Sequence, residues 1–340
     1  MRDQLMHGGR LVSAVRKYGG EVADWLDLST GINPVGWPVP TLEESIWCRL
    51  PEQESLQALE AAARRCYCVG SDLGIVAAAG TQALIELLPR ILSGGKAAIL
   101  SSPNGTYGEH AYCLEKAGKH VTKVSEISAI SDDCDLVALV HPNNPDGKIW
   151  NRQDVLKLAS QLAKNNGHVI VDEAFCDFCP QESFIGDAPS NMIIYRSFGK
   201  FFGLAGLRLG FAICSPKIAM EISAHLGPWP LSGPAIEIGR QALGDGGWIE
   251  RTRTWIDGQS DNLIDVLEGA GLQIVGANGL FVLVDDQEAP GIAETLANQH
   301  ILVRSFSDRP SLLRFGLPAD ETALARLETA LYKPRQRRVS

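Results

Sequence analysis

Lys200 stands in Ser197-Phe198-Gly199-Lys200-Phe201-Phe202-Gly203-Leu204-Ala205-Gly206-Leu207-Arg208-Leu209-Gly210, among small and aromatic residues, with a hydroxyl three positions before it and an arginine eight after. Apolar runs lead in (Met192 to Tyr195) and out (Leu207 to Ile213). Burying an ammonium group is costly and lowers its pKa. A lysine so tuned is an amine nucleophile that can form a Schiff base with an aldehyde. Ser197 and Arg208 suit a phosphate: a hydroxyl donor, and a planar fork that holds two oxygens at once. An aldehyde carrying a phosphate is pyridoxal 5′-phosphate (PLP). A lone Gly-Lys would read as a glycine-rich turn with a surface lysine. The spacing Ser-x-x-Lys-x-x-Gly-x-x-Gly-x-Arg-x-Gly is far more specific.

The elements around this stretch alternate. Apolar runs read as strands at Leu73 to Ala79, Lys96 to Leu100, Asp135 to His141 and His168 to Asp172. Helical spacing appears in Thr41 to Cys68, Ala83 to Leu92, Glu109 to Gly118 and Arg152 to Asn165. Short strands buried on both faces, alternating with helices, predict a mainly parallel sheet covered on both sides. Ligands in such folds gather beyond strand and loop ends. The polar groups Gly80/Thr81, Tyr107, Asn144, Asp172 and Lys200 all sit at such ends. Gly80-Thr81-Gln82, between a strand and a helix, is either an anion site of free backbone N–H groups or a glycine turn with Thr81 as an ordinary cap. Asp172, at the start of Asp-Glu, is either a ligand group or a helix cap. After Lys217 the pattern becomes α+β, with helices at Ala235 to Leu243 and Trp248 to Leu267. Short strands follow at Gln273 to Val275, Leu280 to Val284, Ile301 to Val303 and Leu312 to Phe315. The expected division is 31–225 as a large domain, with 1–30 (an arm and a strand at Trp25 to Leu28) and 226–340 as a smaller one.

Composition sets limits. The chain has 340 residues, 45% apolar and 21% charged, ordinary for a soluble globular protein. A formal charge of −9 argues against a nucleic-acid partner, which would favour a basic face. No apolar run approaches a membrane span of about 20 residues. The N-terminus lacks the apolar core of a signal peptide, so a cytoplasmic protein is expected. The eight cysteines are expected to be reduced there. Cys176-x-x-Cys179 has metal or redox spacing, but no second pair of suitable spacing accompanies it, and no metal is expected.

The motifs, in this order, resemble those of the fold-type-I PLP-dependent enzymes, the aspartate aminotransferase superfamily, over nearly the whole chain. The resemblance implies an α/β fold of the PLP-dependent transferase type: a large domain with a mainly parallel, seven-stranded-type sheet plus a smaller α+β domain. It implies that Lys200 carries the cofactor and that Asp172 lies beneath the pyridine nitrogen. Asn144 would bond the ring oxygen, and Tyr107 would stack on the ring and take part in catalysis. Gly80, Thr81, Gln82, Ser197 and Arg208 would cup the phosphate, and Arg314 would take the substrate carboxylate. The chemistry is coherent: a carboxylate keeps the pyridine nitrogen protonated, making the ring an electron sink, and an aromatic face holds it by stacking.

Within the superfamily the chain resembles the threonine-phosphate decarboxylase family of cobalamin biosynthesis, near relatives of histidinol-phosphate aminotransferases. The residues that carry this likeness are His7-Gly8-Gly9, Leu26 to Pro34, Asp172 to Phe178 and Pro228-Trp229-Pro230. The resemblance implies a small phosphorylated amino acid as substrate, its phosphate held by His7, Asn33 and Arg304, in a homodimer. Two departures stand out. Leu50-Pro51-Glu52 replaces a common Tyr-Pro-Asp, whose tyrosine reaches the neighbouring subunit's cofactor phosphate. Phe175 replaces a tyrosine common in aminotransferases. The alternatives are an aminotransferase for histidinol phosphate or another amino acid, and a ligand-binding regulatory module, for which an appended DNA-binding domain would be expected.

Overall fold

A computed structural model describes residues 8–336. Its strands form two separate sheets, one in each of two compact units. One unit is Gly36–Glu250; the other combines the stretch up to Val35 with the stretch from Arg251.

The larger unit is built on seven strands. Across the sheet they run Gly74–Ala78, Gly210–Cys214, Met192–Ser197, His168–Asp172, Leu136–Val140, Lys96–Leu100 and His120–Val124. Only Gly210–Cys214 is antiparallel to its neighbours. Leu136–Val140, Met192–Ser197 and Gly210–Cys214 are buried along their whole length, which is why they read as continuous apolar runs. His120–Val124 was not legible in the same way. It is an edge strand, mostly exposed, and needs no apolar run. Helices Thr81–Ile91, Glu109–Lys116 and Pro216–Leu226 bury Leu84, Ile85, Leu88, Leu114 and Ile222 in one core with Val76, Ile170, Ile193 and Tyr195 of the sheet.

Three local expectations change in detail. The helical stretch over 41–68 is two helices, Glu44–Cys48 and Gln53–Cys66, separated around Pro51, which disfavours helix in the residue before it. The apolar run from Leu207 becomes strand only at Gly210, because Ala205–Leu207 is a 3₁₀ turn and Arg208 adopts left-handed backbone (φ 56). Residues 226–250, expected with the smaller domain, cluster with the large sheet, where the helix Gly233–Gly244 packs along Gln53–Cys66.

The second unit has a five-stranded sheet ordered Leu26–Leu28, Ile301–Ser305, Leu312–Gly316, Phe281–Asp285, Gln273–Asn278. The first pair is parallel and the rest antiparallel. The expected N-terminal arm contains a helix, Leu11–Tyr18, whose Ala14 packs with Trp25 and Ala297. Gly9 N–H donates to Ser29 Oγ at 2.7 Å, tying the beginning of the described chain to the loop that follows Leu26–Leu28.

Candidate active site

A cleft in the larger unit brings together every residue assigned to the cofactor from sequence. Gly80, Thr81, Gln82, Tyr107, Asn144, Asp172, Ser197, Lys200 and Arg208 all line it, with Phe175, Gly199 and Ala205. Parallel packing explains the convergence. Asn144, Asp172 and Ser197 end, or follow, three adjacent strands, and Tyr107 lies in the loop after a fourth.

One end of the cleft suits a phosphate. Strand Gly74–Ala78 turns at Gly80 (φ 80), the N-cap of helix Thr81–Ile91, whose first N–H groups have no intrahelical partner. A Cβ on Gly80 would stand 2.8 Å from an Arg208 guanidinium nitrogen, and one on Gly210 would stand 2.6 Å from Thr81 N. Only glycine at these two places lets the arginine fork and the helix start approach each other. Helix N-terminus, hydroxyl and guanidinium together make a dianion cradle.

The other end carries ring-binding chemistry. Asp172 is buried and both its oxygens are engaged: Oδ1 accepts the Ala174 N–H at 3.1 Å, and Oδ2 meets His110 Nε2 at 2.8 Å. No helix starts at Asp172, so the capping alternative fails; the chain continues as a turn. His110 is stacked on buried Tyr195, ring centroids 6.2 Å apart, which fixes its plane behind the carboxylate. Tyr107 meets His110 edge-on and donates from its hydroxyl to Gln82 Oε1 at 3.4 Å. Burial, then the charges of Glu109 and Asp172, push the Tyr107 phenol up, so it is a protonated donor at neutral pH. The Gln82 amide is engaged by Glu109 and Tyr107, which leaves its backbone N–H at the helix start for an anion. Lys200 Nζ lies 5.7 Å from the centre of the Phe175 ring. Amine, dianion cradle, aromatic face and buried carboxylate, in one cleft, fit PLP.

Two groups in this region were not singled out from sequence. His110 lies three residues after Tyr107, on the first turn of its helix, and nothing in its neighbours marks it. Arg196 directly follows the apolar run Met192 to Tyr195 and was given no role. It is buried, donating to Glu173 at 2.9 Å and Asp177 at 3.0 Å, with its guanidinium over the Tyr67 ring. Glu173 also accepts from Ser183 Oγ and Phe184 N–H, each at 2.7 Å. This network anchors the loop that presents Ala174 and Phe175 to the cleft. Cys176 and Cys179 lie in the same loop as buried free thiols. Among the described residues no group of His, Cys, Asp and Glu is arranged to hold a metal ion.

The residues assigned to the substrate belong to the other unit. Arg304 and Arg314 are directly opposed across two antiparallel strands, which puts both side chains on the same face of the sheet. Arg314 is buried, donates to Ser29 O at 3.2 Å and covers the Phe281 ring at 4.9 Å. Burial, and then the charge of Arg304, push its pKa down to about 9. Burial also lowers that of half-buried Arg304. Two desolvated like charges side by side form a receptor that an anion would relieve. Asn33 is buried in the loop after Leu26–Leu28, where its Oδ1 accepts the Val35 N–H at 3.0 Å. His7 lies outside the described residues.

The family described as aminotransferase class I and II matches residues 41–329. A threonine-phosphate decarboxylase of Sinorhizobium sp is 40% identical over 339 residues, 97% of this chain and 98% of the relative. One from Pseudomonas aeruginosa is 40% identical over 332 residues, 96% and 97% of the two chains. Among solved structures, the histidinol-phosphate aminotransferase of Clostridium acetobutylicum has a TM-score of 0.79 at 26% identity, covering 92% of this chain and 99% of that one. With a family match over most of its length and full-length relatives well above 30% identity, the chain belongs to the aminotransferase class I and II family.

Proposed function

We propose that the protein is a PLP-dependent decarboxylase that converts L-threonine O-3-phosphate to (R)-1-aminopropan-2-yl phosphate and carbon dioxide, a step in cobalamin biosynthesis. The observation that carries this reading is the 40% identity, over nearly the full length of both chains, to two threonine-phosphate decarboxylases. The histidinol-phosphate aminotransferase reading rests on lower identities, 30% over 88% of this chain to one such relative and 26% to a solved structure. The unit Gly36–Glu250 serves as the cofactor-binding domain and the other unit as the smaller domain. The enzyme works as a cytoplasmic homodimer.

The residues take these roles. Lys200 holds the cofactor, and Gly80, Thr81, Gln82, Ser197 and Arg208 hold its phosphate. Tyr107 covers its ring, Asn144 bonds its ring oxygen, and Asp172, backed by His110, keeps its nitrogen protonated. When bound, PLP supplies a sink for negative charge that develops at the substrate's Cα. Arg314 takes the substrate carboxylate, while His7, Asn33 and Arg304 take the substrate phosphate. Gripping the phosphate fixes rotation about Cα, so binding energy at the remote end decides which bond of Cα breaks. The opposed Arg304 and Arg314 support this assignment, since a substrate with two anionic ends offsets both desolvated charges.

The test is incubation with L-threonine O-3-phosphate in the absence of any keto acid. One carbon dioxide per aminopropanol phosphate is expected. Conversion of histidinol phosphate and 2-oxoglutarate to glutamate, with no carbon dioxide from threonine phosphate, would give the assignment to the aminotransferase.

A further inference from the structure

We propose that Asn143 is a positioning residue that latches the loop carrying Tyr107 to the loop carrying Asn144, so that two ring contacts are set by one buried amide. The inference rests on the PLP reading for its functional meaning and on hydrogen bonds for its mechanics. Asn143 is completely buried (0% exposed). Its Nδ2 donates to Gly105 O at 2.9 Å and to Asp146 Oδ1 at 2.7 Å, with Ser102 Oγ at 3.3 Å. Its Oδ1 accepts from Thr106 Oγ1 at 2.7 Å. A carbonyl and a carboxylate can only accept, so the amide orientation is fixed by its partners.

The latch joins positions adjacent to the cleft residues. Thr106 precedes Tyr107, and Asn143 precedes Asn144. The two loops leave neighbouring parallel strands, Lys96–Leu100 and Leu136–Val140. The second loop is also closed on itself. Asn143 N–H donates to Lys148 O at 2.9 Å, and Gly147 N–H donates to Asn143 O at 2.7 Å. Asp146 Oδ2 accepts from Asn104 Nδ2 at 3.3 Å, a second tie between the loops. A buried network with its members satisfied is rigid, and one left half satisfied is costly. An aspartate at 143 would set its oxygens against Gly105 O and Asp146; a leucine would lose every side-chain bond.

Thr106 permits the mildest test, because it is only part-buried. Thr106→Val removes the hydroxyl while keeping the shape, and Thr106→Ser restores it. PLP affinity of the apoprotein is read by fluorescence quenching, and the visible circular dichroism of the bound cofactor reports ring orientation. We expect Thr106→Val to bind PLP about fivefold more weakly, the loss typical of one hydrogen bond, with altered dichroism and a lowered apoprotein melt, since buried Asn143 Oδ1 loses its donor. Thr106→Ser should stay within about twofold of wild type. Amide hydrogen exchange in the apoprotein reads the coupling itself: Thr106→Val should speed exchange in 143–148 as well as in 102–107. Unchanged exchange in 143–148 overturns the latch, whether or not PLP binds. Wild-type affinity and dichroism in Thr106→Val overturn it as well. Failure of the wild-type protein to take up PLP would instead refute the cofactor reading, leaving hydrogen exchange to decide the latch.

Discussion

Asp172 is held by one N–H donor at each oxygen, from Ala174 and from His110. An asparagine has one acceptor oxygen for these two positions and cannot keep a pyridine nitrogen protonated. Asp172→Asn is therefore expected to keep the fold with some loss of stability and to lose about 10²–10³ in turnover. Near-normal steady-state rates would remove the role. The cradle at Gly80, Thr81 and Arg208 and the buried Asp172 frame Lys200. Purified protein should show visible PLP absorbance that borohydride bleaches, and peptide mapping should place the label on Lys200. A label on another lysine would end the assignment. Arg304 shares its sheet face with Arg314 but is only half-buried, so its loss leaves the fold intact. Arg304→Ala should lower kcat/KM for threonine phosphate by about 10²-fold, the size of a charged contact, and should raise the fraction of turnovers ending in transamination or proton exchange. An unchanged product ratio would show that the phosphate anchor does not select the bond.

At the scale of elements, the strand ends and the loops after them carry the chemistry, and their stability depends on buried polar groups. His141, at the end of Leu136–Val140, is an example. Its Nδ1 accepts the Trp150 N–H at 3.2 Å, so its Nε2 is the protonated nitrogen and donates to Glu182 O at 3.0 Å. Burial, and to a lesser degree Arg152, push its pKa down from 6.5 to about 4. The unfolded chain then binds a proton that the folded chain refuses between these values. The contribution to stability is present in full above pH 6.5 and is lost as pH falls towards about 4. The gap corresponds to roughly 3 kcal/mol. His168, also lowered by burial, works in the same direction. Urea unfolding between pH 7 and 4.5 should show this loss, and His141→Gln should flatten the slope. An equally steep slope in the variant would assign the pH dependence elsewhere.

At the scale of the molecule, each unit carries its own share of the chemistry: amine, carboxylate and phosphate cradle in Gly36–Glu250, and the paired arginines in the other. A net charge of −9 makes such concentrated cationic groups selective for small anions over long-range attraction of polyanions. In the larger unit Trp47 and Leu50 are each 66% exposed, with Val39 also open. These are residue types that an association surface would cover. The proposed homodimer should sediment at twice 36.7 kDa at working concentration. A single species of 36.7 kDa would count against it.

The alternating fold and most of the cleft residues are legible in the amino-acid sequence. A parallel sheet buried on both faces requires continuous apolar strands, and ligand groups in such a fold must stand at the strand ends. That logic placed Gly80, Tyr107, Asn144, Asp172 and Lys200, the spacing around Lys200 added Ser197 and Arg208, and all of them share one cleft. Arg208 was legible as a phosphate ligand from its spacing. Its left-handed backbone and its approach over Gly80 were not, because they depend on strand Gly74–Ala78 pairing with Gly210–Cys214. His110 behind Asp172, Arg196 between Glu173 and Asp177, and Asn143 between two loops were decided only by tertiary structure. Apolar periodicity reports which face of an element is buried. It does not report which buried polar groups will meet, since those partners lie 19 to 62 residues apart and pair only after the sheet has assembled.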